Sequence, residues 1–102
     1  MIERHWKGIA KAELAAAYTA HLLGETFPAL SQLKGFIKAY ILTRAVTNGV
    51  EFLIITEWGS LLAIKAFAGE DMETAVVPKI VQEMMVQYDQ KASHYEIAHE
   101  FQ

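Results

Sequence analysis

Large and β-branched residues fill IERHWKGIA, residues 2–10, and polar Lys11 breaks the run, which predicts a first strand. From Ala12 the pattern turns to Ala and Leu, with Leu14, Tyr18 and Leu22 on one face of a helix. Gly24 and Pro28 are expected to end or bend it, because Gly readily caps a helix and Pro lacks the N–H that continuation needs; a further turn runs through Leu33. FIKAYILTRAV and VEFLIITEW then flank Thr47-Asn48-Gly49-Val50, where Asn-Gly predicts an antiparallel hairpin turn. Ser60 is placed to cap the short helix SLLAIKAF, which Gly69 ends. Pro78 suits the first turn of a helix KIVQEMMVQY, with Ile80, Met84 and Tyr88 aligned, and HYEIAHEF, 94–101, reads as the last strand.

Strand, helix, strand, strand, helix, strand is the ferredoxin-like order: an α+β fold with a four-stranded antiparallel sheet and helices on one face, as a single domain over residues 1–102. The other face follows from alternation. Ile37, Ala39 and Ile41 suit the helix side, leaving Phe36, Lys38, Tyr40 and Arg44 opposite; in the third strand Leu53 and Ile55 suit the helices, leaving Phe52, Ile54, Thr56 and Trp58. On the first strand either His5 and Lys7 or Arg4 and Trp6 join that face, and on the last strand His94 and Glu96 do. So apolar a face calls for a cover, and a second copy packed sheet to sheet about a two-fold axis, enclosing a pocket, is the expected solution.

Composition narrows the function classes. With 53% hydrophobic and 21% charged residues the chain can build one core. A net charge of -3 without a Lys/Arg run offers nothing to a phosphate backbone, so no nucleic-acid partner is expected. The absence of cysteine excludes disulfides, thiolate chemistry and Cys-ligated zinc. Charged residues interrupt the N-terminus, and no run is long and apolar enough to cross a bilayer, so the expectation is a cytoplasmic protein without membrane contact. His94 and His99 are an odd number apart on a strand and face opposite sides, so no metal site is expected.

The pattern I-x-R-x-W-x-G at Ile2, Arg4, Trp6 and Gly8, then EFLIITEWGS, AIKAFAGED and HYEI, resembles small proteins of the antibiotic biosynthesis monooxygenase superfamily over nearly the whole chain. The resemblance implies a dimeric α/β barrel and a monooxygenase-like oxidoreductase that uses O2, without a cofactor, on a small aromatic or enolic compound. The alternative it leaves open is a homodimer of the same fold that binds a small apolar molecule without turning it over. Trp58 matches the tryptophan of the quinone-forming members, whereas their asparagine four residues earlier is Ile54 here. The haem-degrading branch requires a first-strand asparagine and a histidine on the helix after the tryptophan, and this chain has neither.

Such chemistry needs a dry pocket and a group that takes a phenolic proton. His5 and His94 are the candidate bases, or else structural interface histidines. Trp58 serves as a pocket wall or as interface core. Tyr40 and Thr56 are candidate hydrogen-bonding groups for a ligand oxygen, with Phe36, Phe52 and Trp6 as aromatic lining.

Overall fold

The structure is a computed structural model that describes all 102 residues, Met1–Gln102. Five strands form one antiparallel sheet: β1 (Ile2–Ala10), β2 (Phe36–Val46), β3 (Gly49–Trp58), β4 (Met85–Tyr88) and β5 (Ser93–Glu96). The order is β2-β3-β1, with β4 and β5 end to end along the free edge of β1, where Gly8 meets Tyr88 and Arg4 meets His94. The expected fourth strand is therefore present in two pieces. Its first piece was expected as helix: α4 (Lys79–Met84) stops where Met85 turns extended, because residues 85–88 satisfy the unpaired edge of β1. The last strand ends at Glu96, not at residue 101, where it pairs with Ile2 at the start of β1.

Residues 12–31 are helical throughout, as a 3₁₀ turn (Ala12–Leu14), α1 (Ala15–His21), a π turn (Leu22–Thr26) and α2 (Phe27–Ser31). Pro28 bends the helix without ending it. In a regular α-helix its ring would press on the carbonyl of Gly24, and the preceding π turn, closed by Phe27 N–H donating to the Leu22 carbonyl, widens the backbone there. α3 (Leu61–Ala68) starts as expected, with Ser60 Oγ accepting from Ala63 N at 3.2 Å, and ends at Gly69, whose φ of 89° only glycine adopts readily. No atom crowds Gly69, so conformation and not close packing selects it. In the hairpin, Val46 pairs with Gly49 and the connection is Thr47-Asn48, one residue earlier than Asn-Gly chemistry predicts. No helix is long and apolar enough to cross a membrane.

The sheet faces correct the expected orientation of β3. Phe52, Ile54, Thr56 and Trp58 lie beneath the helices, all buried, and Leu53 and Ile55 point to the open face. Both alternating sets are apolar, so the pattern is symmetric, and pairing decides it: Ala39 opposes Thr56 and Ile41 opposes Ile54. A bulge between Phe36 and Lys38 carries Phe36 to the helix side, where its ring meets Trp58 edge-on at 5.4 Å, and leaves Ile37 exposed. On β1, Arg4 and Trp6 face the helices while His5 and Lys7 face outward; on β5, His94 lies opposite Arg4 and Tyr95 opposite Glu3, the reverse of the expected facing.

Trp58 is fully buried against Leu30, Ile64 and Phe67. Trp58→Ala is expected to lower stability by roughly 3–5 kcal/mol through lost contacts and the void left behind, read as a reduced denaturant midpoint.

Candidate functional site

A cavity of about 490 Å³ opens between the helix side of the sheet and the helices, inside one chain. It is formed by a single chain on the helix side of the sheet, whereas the pocket expected from the sequence lay on the open face. Its floor is Arg4 and Trp6 of β1 with Ile54 and Thr56 of β3; its roof is Tyr18, His21, Leu22 and Glu25; Phe67, Val77 and Val81 close the sides. Most of this lining is apolar, as in ordinary small-molecule sites. The π turn supplies Leu22, Glu25 and Thr26 to the roof, and such turns recur at functional sites.

Arg4 is the one charge on the cavity floor and is only 5% exposed. Its Nη1 donates to the carbonyl of Met72 and to His94 Nε2, the latter at 2.7 Å, and Nη2 donates to the carbonyl of Thr74 at 3.2 Å. Its Cζ lies 5.7 Å from the Phe67 ring centroid. A guanidinium has no acceptor, so His94 Nε2 must accept and the imidazole proton sits on Nδ1. Burial first, and the Arg4 charge second, push the His94 pKa below its ordinary 6.5, against a smaller upward pull from Glu73.

The other polar groups are set by their neighbours. Trp6 Nε1 donates to the Asp89 carbonyl at 2.9 Å, and Gly8 leaves room for the indole, since a Cβ there would lie 2.7 Å from the ring. Thr56 Oγ1 accepts from Trp58 Nε1 at 2.8 Å and so keeps its own proton to donate. Tyr18 is buried against Phe52, and burial raises its phenol pKa well above the ordinary value, so it stays protonated.

Of the residues singled out from the sequence, Trp6 and Thr56 reach the cavity. Trp58, Phe36 and Phe52 lie on the same side of the sheet as packing beneath and beside it. His94 stands behind Arg4. His5 and Tyr40 are on the open face, His5 2.9 Å from Glu3 Oε1 and 5.0 Å from the Tyr95 ring centroid. Sequence reasoning passed over Tyr18, His21 and Glu25 as site residues; the signal was a His and a Glu one turn apart beside the apolar stripe of the first helix.

This architecture is the fold of antibiotic biosynthesis monooxygenase structures. A candidate antibiotic biosynthesis monooxygenase from Bacillus cereus superposes with a TM-score of 0.69 at 18% identity, covering 99% of this chain and 94% of its own. One from Deinococcus radiodurans gives 0.66 at 22% identity, covering 100% and 97%. A monooxygenase of Streptomyces coelicolor, from the gene ActVA-Orf6 and in complex with nanaomycin D, gives 0.70 at 13% identity, covering 99% and 90%. No family model and no curated protein sequence matches the chain. At these identities the likeness establishes the fold.

Because folding lowers the His94 pKa, the unfolded chain takes up a proton below pH 6.5 that the folded chain resists. Stability is therefore unaffected above that value and falls as the pH drops from it toward the lowered folded value. His94→Gln, which keeps an acceptor for Arg4 and removes the titration, is expected to flatten this acid loss in denaturation midpoints compared at neutral and mildly acidic pH.

Proposed function

We propose that the protein is a monooxygenase that oxidises a small aromatic or enolic compound with O2 in this cavity, with no bound cofactor. The observation that carries the reading is the cavity itself: mostly apolar walls around a few polar groups, in a fold shared with monooxygenases. For a phenol the balance is one phenol and one O2 to one quinone and one water. The ring gains one oxygen and loses two hydrogens, and all four electrons that reduce O2 come from the substrate. Deprotonation of the substrate hydroxyl makes the ring electron-rich enough to start that transfer. His21 is the imidazole on the cavity wall and takes the proton; Tyr18, held neutral, donates a hydrogen bond to the developing oxyanion. His5 and His94 do not open onto the cavity, so neither fills the base role.

The working unit we infer is a homodimer. The open sheet face carries Tyr40, Leu42 and Tyr95 exposed beside Leu53 and Ile55, an apolar surface that a second copy covers. Sedimentation velocity is expected to give a dimer that Leu42→Glu converts to monomer; a stable wild-type monomer at micromolar concentration overturns this part.

The activity is tested with an oxygen electrode against polycyclic phenols and enolisable diketones. Stoichiometric uptake of O2 is expected with at least one class, and His21→Ala is expected to lower the rate by roughly 10²–10⁴-fold with the circular dichroism spectrum unchanged. Ligands retained without any uptake would show a binding protein instead.

A further inference from the structure

We propose that the substrate carries a carboxylate, separate from the hydroxyl that His21 deprotonates, and that Arg4 is the residue that anchors it. The inference rests on reading the cavity as the substrate site and adds the charge class of what enters it.

A buried guanidinium normally sits against a carboxylate, because an unpaired charge in a protein interior is costly. Arg4 has none. It takes part in no ion pair, and its protein partners, two carbonyls and an imidazole, are all neutral. Glu25 lies on the roof of the same cavity but is exposed and makes no bond to Arg4. No carboxylate bonds the guanidinium: Glu73, between the two residues whose carbonyls it holds, makes no ion pair with it.

Donor accounting points the same way. A guanidinium has five N–H groups. Both on Nη1 and one on Nη2 are taken, which leaves Nε–H and the second Nη2–H. Nε makes no bond to protein and is not fully enclosed, and Arg4 is a lining residue of the cavity. Two free donors on one guanidinium suit an anion. Directly across the strands from Arg4 stands Thr56, whose hydroxyl accepts from Trp58 and still has its proton to give. Around these donors the walls are flat and apolar, with Phe67, Trp6 and Phe27 lining the cavity. A planar ring system that carries a carboxylate meets these conditions, and one without it leaves the guanidinium without an ionic partner.

The test compares 2-naphthoate with its neutral counterpart 2-acetylnaphthalene by calorimetry on the wild-type protein, with the Arg Nε–H signals followed by NMR. Naphthoate is expected to bind at least tenfold more tightly and to shift the Arg4 Nε–H signal. Arg4→Gln is expected to lose that preference, read as the ratio of the two affinities within the same variant; where that variant does not fold, the wild-type comparison and the Arg4 signal stand without it. Equal affinity for the two ligands, or naphthoate binding that leaves the Arg4 signal unmoved, overturns the anion proposal alone. Failure of both ligands to bind overturns the reading of the cavity as a site for planar aromatic molecules, and the anion proposal with it.

Discussion

The buried guanidinium of Arg4 is the constraint around which one end of the molecule is arranged. Placed on the helix side of β1, it draws its hydrogen-bond acceptors from Met72 and Thr74 in the connection after α3 and from His94 on β5. That connection has little regular structure of its own, so few backbone bonds within it hold its path. Its anchors are Arg4 and a short pairing with the chain between β4 and β5, in which Ala75 N donates to Gln90 at 2.9 Å and Ala92 N donates to Glu73 at 2.7 Å. The same stretch leads to Val76 and Val77 in the cavity wall. A charge that needs neighbours thus positions the apolar residues that enclose the space beside it.

The roof depends on a different local conflict. A helix carrying Pro28 must break, kink or widen, and widening at Leu22–Thr26 keeps residues 12–31 continuous over the sheet. The cost is irregular hydrogen bonding near the middle of the helix. The consequence is that His21, Leu22, Glu25 and Thr26 are brought to one concave surface with Tyr18 a turn before them. Below, the Trp58 indole spends its N–H on Thr56 and so fixes which way that hydroxyl can donate. Core packing and site chemistry are here consecutive links of one chain of contacts.

Much of the fold was legible because its signals are local. Ser60 caps α3 by its own side chain, Gly69 ends it by its backbone, and the two long runs around Thr47-Asn48 pair as a hairpin. The facing of β3 was not legible, since Leu53 and Ile55 are as apolar as Phe52 and Ile54, and only pairing with β1 and β2 separates them. The bulge that turns Phe36 inward leaves no mark in the composition of its strand. Residues 85–88 read as the end of a helix because their periodicity fits one, and the vacancy along β1 that claims them is a long-range fact. For the site, Trp6 and Thr56 could be named in advance, whereas Arg4 acquires its meaning only once the neutrality of its partners is known.

β3 carries these themes into the question of assembly. A strand apolar on both faces is characteristic of a sheet covered on both sides, and the helices cover only one side here. Its inner residues form the cavity floor and the core beneath it, and its outer residues, with Tyr40 and Tyr95 on neighbouring strands, form the open face. Because the cavity lies on the helix side of the sheet, a partner on the open face would contribute no lining to it. In the proposed dimer, the partner would reach the site only through the sheet that holds Arg4 opposite Thr56, and not through the pocket.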